Sequence, residues 1–185
     1  MGLFDFLKKK DETPSYDPTN LKITDLNKGF VFEYDLQNWL VEEAYEYDWG
    51  DNCYSREFKI SDGSKKLFLS VEDDDELFLS ISQKIKIRSI DANLPEIIDK
   101  DERPPGKIEY NGIEFFLDQE SAGYFKNLND ADSEGEQVVT WEYYDEEEKY
   151  VLSLEQWGEF DFEASFGKVI NEIEISGILP GENNN

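Results

Sequence analysis

The chain of 185 residues has no histidine and only one cysteine. The absence of histidine excludes a Ser-His-Asp triad, a Cys-His dyad and a zinc site built on histidine. A single cysteine excludes an internal disulfide and a four-cysteine metal cluster. The glycines are scattered singly, so no Gly-rich phosphate loop is present. We therefore expect no catalytic residue set and no cofactor.

Basic residues are also scarce. Lysine and arginine number 18 against 44 acidic residues, which gives a net charge of −26. Because nucleic-acid binding relies on basic groups that meet phosphates, we expect no nucleic acid among the partners. Long apolar runs are missing as well, and a spanning helix needs about 20 such residues. The first lysines follow the first apolar residues, which is the reverse of a secretory signal. These features predict a cytoplasmic protein.

Aromatic residues are plentiful, at 15% of the chain, and this favours a folded domain despite a mean hydropathy of −0.68. Several segments alternate apolar and polar residues with the period of a strand that has one buried face. The clearest of these apolar sets are Leu67, Leu69 and Val71; Leu77, Leu79 and Ile81; Val139, Trp141 and Tyr143; Tyr150, Leu152 and Leu154; and Phe160, Phe162, Ala164 and Phe166. The pattern predicts a mainly β fold of antiparallel strands.

Composition divides the chain into six segments. They are an amphipathic helix at 1–10, a linker at 11–20, a first β unit at 21–90, a connector at 91–106, a second β unit at 107–180 and a disordered tail at 181–185. Within the connector, Leu94, Ile97 and Ile98 have the spacing of one or two helical turns, and residues 99–106 are charged and broken by prolines.

A shift of the sequence by 83 residues aligns the two β units without a gap from Gly29 to Ser82. The aligned identities include Gly29 with Gly112, Phe32 with Phe115, Asp35 with Asp118, Lys66 with Lys149, Leu69 with Leu152, Ser70 with Ser153 and Glu72 with Glu155. The agreement favours an internal duplication packed as a sandwich or as paired small barrels. The alternative is that two similar hairpins match through alternation alone.

The tips of the two Leu-Ser-x-Glu hairpins differ. The first tip carries Asp73, Asp74 and Asp75, which are weak candidates for a hard cation and are more simply a solvated turn. The second tip carries Trp157, whose predicted turn position exposes it. An exposed tryptophan suits a protein contact, although it could equally fold back over its own hairpin.

The amphipathic N-terminal segment presents Phe4, Phe6 and Leu7 ahead of three lysines. One interpretation places these apolar side chains in a membrane interface, with the lysines near anionic headgroups. The other docks the helix on this protein or on a second copy of it. Both stay open.

The second β unit resembles a known bacterial family. The resemblance rests on Trp141-Glu142-Tyr143-Tyr144, the run from Tyr150 to Gly158, the run from Phe162 to Gly167, and Ile178-Leu179-Pro180. The first unit is similar through Tyr47-Asp48-Trp49-Gly50 and the run from Leu67 to Glu72. Together these motifs, over about residues 20–180, resemble the DUF4178 family. The resemblance implies a membrane-linked accessory role, because such domains are often encoded beside small membrane proteins and membrane-stress coat proteins, and it implies no catalytic residues.

Two functions follow as expectations. The first is a non-enzymatic acidic interaction module with a protein partner, peripheral to the inner membrane face and linked to membrane stress. The alternative is a small-ligand binder or a carboxylate-based enzyme with a cleft between the repeats. Exposed strand edges would also permit a homo-oligomer.

Overall fold

The computed structural model describes residues 17, 19–74 and 76–181. Within them, eleven strands form one antiparallel sheet, so the prediction of a mainly β protein is confirmed. The predicted helix at 1–10 and most of the linker and tail lie outside the described residues. No helix in the described part of the chain has the length and apolar character needed to cross a membrane.

Most consecutive strands are joined by short turns, and the longest connection, from β5 to β6, contains a helix. The strands are β1 (Val31–Tyr34), β2 (Gln37–Gly50), β3 (Cys53–Ser61), β4 (Lys66–Asp73), β5 (Leu77–Ile85), β6 (Lys107–Tyr110), β7 (Ile113–Asn127), β8 (Glu136–Tyr144), β9 (Tyr150–Gln156), β10 (Phe162–Ile170) and β11 (Ile175–Leu179). One α-helix, α1 (Leu94–Asp101), lies between β5 and β6. Three-residue 3-10 turns occur at Ile23–Asp25, Ile87–Ser89 and Glu172–Glu174.

Consecutive strands β1 to β5 form one meander and β6 to β10 form a second. The two meanders pair along two seams, β5 with β10 and β2 with β7, which closes a ring of eight strands. Strands β2 and β7 span 14 and 15 residues. Each is long enough to pair with a four-residue strand at its start, β1 or β6, and with the other long strand at its end. The remaining strand β11 pairs with β1.

One face of the ring carries the apolar side chains, because the strands alternate. They form two separate clusters. The first includes Phe32, Trp39, Phe58, Leu69 and Leu79, and the second includes Phe115, Trp141, Tyr143, Leu152 and Leu154. The helix α1 covers the second cluster with Leu94 and Ile98. The opposite face of the ring carries mainly polar side chains, together with aromatic residues such as Tyr47 and Trp49.

One predicted boundary is wrong. The alternation pattern includes Phe160 in a strand, but β10 begins at Phe162 and Phe160 is 58% exposed. The backbone N–H of Trp157 donates to the carbonyl of Asp161 at 2.9 Å, which closes a loop around Phe160. The helix α1 lies within the predicted connector at 91–106 and continues through residues 99–101, beyond the turns that Leu94, Ile97 and Ile98 predict. It stops at Glu102, which adopts a left-handed conformation before Pro104 and Pro105.

The shift of 83 residues matches only part of the two meanders. It places Cys53–Ser61 on Glu136–Tyr144, but it sets Phe32 of β1 against Phe115 of β7. A shift of 76 residues, from Val31 to Lys107, is needed to place β1 on β6. The difference arises because the segment between β7 and β8 is longer than the two residues between β2 and β3.

Candidate functional site

The polar face of the ring lines a narrow interior. Its small side chains are Ser55, Ser70, Ser80, Ser82, Thr140, Ser153 and Ser165. Four glutamates join them, at positions 57, 72, 142 and 155. The enclosed space is about 40 Å³, which suits water and excludes an organic ligand. A ligand therefore has to bind in the wider spaces that adjoin this interior.

One wider space, which we call the aromatic cleft, has a volume of about 400 Å³ and shares Tyr47 and Glu57 with the interior. Its lining residues are Tyr45, Tyr47, Glu57, Phe68, Lys84, Phe125, Glu136, Trp157, Asp161 and Glu163. They come from seven strands of both meanders and from the loop between β9 and β10. The cleft therefore exists only when the ring is closed.

The seam between β2 and β7 builds the aromatic wall of the cleft. Tyr47 lies directly opposite Phe125 in the ladder, so their side chains share a face. The Phe125 ring lies 5.1 Å from Tyr45, 5.3 Å from Tyr47 and 5.0 Å from Trp157, measured between ring centroids. The Tyr45 hydroxyl donates to Glu43 at 2.7 Å, which fixes its ring. The wall is therefore an aromatic surface whose rings contact one another.

Lys84 supplies the cation of the cleft. Its ammonium lies 2.9 Å from a carboxylate oxygen of Glu155 and 2.9 Å from one of Glu163. It also lies 5.3 Å from the centroid of the Phe68 ring, in cation–π geometry. Burial alone would lower the pKa of Lys84, but the charges of Glu155 and Glu57 outweigh it and hold the pKa above its usual range. Lys84 therefore stays charged.

Glu57 is the carboxylate that this lysine does not satisfy. Its residue is only 9% exposed, and its carboxylate makes no hydrogen bond or ion pair with any described residue. Burial raises the pKa of Glu57, the charge of Lys84 lowers it in part, and Glu155 and Glu163 raise it again. Three carboxylates thus share one ammonium, and the cleft carries an excess of negative charge.

Trp157, the tryptophan predicted to make a protein contact, forms part of the cleft wall. It is half-buried and meets Phe125 edge to face. Its indole N–H is covered yet has no hydrogen-bond acceptor among the described residues. Because this nitrogen is covered, a group that enters the cleft meets the ring of Trp157 and not its N–H.

A second space, which we call the acidic groove, has a volume of about 500 Å³ and adjoins the interior at Glu72 and Glu142. Burial raises the pKa of Glu142 to about 7, helped by the charge of Glu72 and opposed by a hydrogen bond from the Tyr144 hydroxyl at 3.2 Å. Burial and the charge of Asp74 also raise the pKa of Glu72. The groove and the cleft thus place weakly acidic carboxyls beside the same polar interior.

The other residues predicted as sites lie elsewhere. Asp73 ends β4 and Asp74 follows it in the turn, whereas Asp75 lies outside the described residues. Among the residues that the structure describes, no group of three or more Asp, Glu or Cys is arranged to hold a metal ion. Phe4, Phe6 and Leu7 also lie outside the described residues. Asp73 and Asp74 do not line the aromatic cleft.

Sequence analysis missed Glu57, Lys84 and Phe125 as site residues. One signal pointed toward them, because the repeated Leu-Ser-x-Glu motif places Ser70 and Glu72 of one hairpin, and Ser153 and Glu155 of the other, in the shared interior. In these strands the residues that alternate with leucine are serine and glutamate in both hairpins. The same small and acidic residues at matching positions indicate a shared polar interior and not a surface exposed to solvent. This signal indicates the interior but not the aromatic wall.

One comparison with known proteins identifies a family. The family model described as Domain of unknown function (DUF4178) matches residues 27–172. An "Uncharacterized protein" of Aquifex aeolicus (strain VF5) is 29% identical over 185 residues, covering 97% of this chain and 99% of that protein. No solved structure matches the chain at a significant level.

Proposed function

The chain belongs to the DUF4178 family, and we propose that it is a non-enzymatic interaction module whose aromatic cleft receives a segment of a partner protein. The observation that carries the proposal is the aromatic wall at the β2–β7 seam, where the rings of Tyr45, Tyr47 and Trp157 surround Phe125 and line a concave surface. Aromatic side chains at the centre of a concave surface are the usual anchors of protein contacts. The cleft holds no histidine or cysteine that would supply a nucleophile or its base.

Photo-crosslinking from the rim of the cleft tests this function. With p-benzoylphenylalanine at Asp161, which lines the cleft and is exposed, we expect a discrete crosslinked protein from native cell extract. The additional substitution Trp157→Ala should weaken that crosslink, because truncating a central aromatic anchor costs about 2 kcal/mol of binding or more.

The matched control carries the same photo-reactive residue at Ile173, which is 91% exposed and does not line the cleft. No discrete product is expected from it. Equal crosslinked products from positions 161 and 173 would show that the partner binds elsewhere. A product whose yield is unchanged by Trp157→Ala would show the same.

Two tandem duplicated β units are part of the same proposal. Its support is that both meanders have five strands in the same order, each with a bulge early in its long strand, at Val41/Glu43 and at Leu117/Gln119. If the two meanders are duplicated units, the cleft forms only where the two units pair. The edge strands β6 and β11 are the places where a second copy could pair to form a homo-oligomer.

Peripheral attachment to the inner membrane face, with a link to membrane stress, is also a proposal and rests on the sequence of residues 1–10. We expect the full chain to co-sediment with anionic vesicles, and the triple substitution of Lys8, Lys9 and Lys10 by glutamine to abolish this. Each lysine near such a surface contributes on the order of 1 kcal/mol. Vesicles of neutral lipid serve as the control. Equal sedimentation of both forms would contradict the attachment.

A further inference from the structure

We propose that the partner segment inserts a lysine side chain into the aromatic cleft, where its ammonium becomes the second cation among Glu57, Glu155 and Glu163. The inference rests on the proposed interaction function and specifies what the cleft recognises. It follows from two features of the cleft, which are its shortage of positive charge and the aromatic side chains that line it.

The shortage is local. Lys84 meets Glu155 and Glu163 at 2.9 Å each, and Glu57 has neither a hydrogen bond nor an ion pair with any described residue although it is nine-tenths buried. The carboxylate oxygens of Glu57 are not fully covered, so they are open to the cleft, and a neighbouring cation would offset part of the cost of their partial desolvation. Glu57 lines both the cleft and the interior, so a group that enters the cleft can reach its carboxylate.

Lys84 itself shows how the cleft accommodates an ammonium. Its charged end lies against the Phe68 ring and between carboxylates. Tyr45, Tyr47 and Phe125 provide further aromatic faces beside Glu57, and such faces attract both the methylene stem and the charge of a lysine. A volume of about 400 Å³ is enough for one long side chain and part of its backbone. The net charge of −26 would also steer a basic segment toward this protein.

Oriented peptide libraries test the inference. Two capped heptapeptide pools carry a fixed central residue, lysine in one and its neutral isostere norleucine in the other, and all flanking positions are degenerate among uncharged residues. Each pool is passed over the immobilised full chain, and the retained peptides are quantified by mass spectrometry. We expect the lysine pool to be retained about tenfold more strongly than the norleucine pool.

Variants assign the effect to Glu57. Glu57→Gln should reduce retention of the lysine pool about tenfold and leave the norleucine pool unchanged. The control Glu109→Gln removes the same charge from an exposed position on β6 and should change neither pool. Thermal unfolding of both variants shows that they are folded.

The pH dependence gives a readout that a merely structural role would not produce. Glu57 faces Tyr45 and Tyr47 on β2, Lys84 on β5, Glu155 on β9 and Glu163 on β10, and burial raises its pKa above the usual range. Since the ammonium binds the ionised carboxylate, retention of the lysine pool should increase as the pH rises through that pKa. Glu57→Gln should remove the increase.

The possible outcomes distinguish the inference that the cleft binds lysine from the proposal that it receives a partner segment. Retention of the lysine pool alone, lost in Glu57→Gln, supports the inference. Equal retention of both pools overturns the inference and leaves the interaction function standing. Retention of neither pool counts against both the inference and the proposal that the cleft receives a peptide segment.

Discussion

Gly167→Ala is expected to lower the free energy of unfolding by about 3 kcal/mol, because it breaks the seam between β5 and β10. Gly167 lies opposite Ser82 in the ladder. A Cβ atom at this position would come within 2.2 Å of the carbonyl oxygen of Ile81 and 2.6 Å of the Cα of Ser82. Both are backbone atoms, so the clash is relieved only if the two strands move apart.

The second seam depends on a glycine in the same way. A Cβ atom on Gly123 would lie 2.3 Å from the carbonyl oxygen of Asp48 and 2.8 Å from the Trp49 ring. Gly123→Ala should therefore destabilise the fold by a similar amount and also displace the aromatic wall, because Asp48 pairs with Tyr124 beside Phe125.

Urea unfolding measures both effects, and Gly106→Ala is the matched control. Gly106 has no atom within 4 Å of the added Cβ and does not require a left-handed conformation, so its substitution should change stability by less than about 0.5 kcal/mol. If Gly167→Ala and Gly123→Ala behave like this control, the two meanders do not approach each other as closely as the closed ring requires.

Alternation identified the hairpin arms because each has one face against an apolar cluster. Leu69 and Val71 on β4, Leu79 and Ile81 on β5, and Leu152 and Leu154 on β9 are all buried as the period of two predicts. In these strands, the local pattern and the tertiary packing select the same face.

The long strands β2 and β7 escaped prediction because each contains a bulge. The register of β2 shifts between Val41 and Glu43, and the register of β7 shifts between Leu117 and Gln119. A bulge moves the following residues to the other face, so the alternation changes phase within one strand and its signal cancels. The segment after β7 is longer than the one after β2, so no single ungapped shift aligns all five strands of the two meanders.

The aromatic cleft could not be predicted because no local pattern contains it. Glu57, Lys84, Phe125 and Trp157 lie on different elements and meet only after both seams have formed. With 44 acidic residues in the chain, sequence alone does not distinguish one buried, unpaired carboxylate from the solvated ones. The sequence draws attention to Trp157 because its hairpin tip differs from that of the first unit.

Glu142→Gln is expected to stabilise the protein at about pH 8 and to have little effect near pH 5. Burial raises the pKa of Glu142 from 4.5 to about 7, so the folded state holds a proton that the unfolded state has already lost over this range. Stability therefore falls as the pH rises above 4.5, and the full cost is present above about pH 7. The cost reaches about 3 kcal/mol at most. Glutamine removes this cost and still accepts the Tyr144 hydroxyl.

Thermal and urea unfolding across this pH range test the prediction, with Glu109→Gln as the control for the loss of one charge from a strongly acidic protein. The control should shift stability only slightly and without the same pH dependence, because Glu109 is exposed. If Glu142→Gln resembled the control, water entering through the acidic groove would have to solvate the Glu142 carboxylate. If Glu142→Gln is more stable than the unsubstituted protein only at high pH, the interior keeps the carboxyl group of Glu142 at the expense of stability.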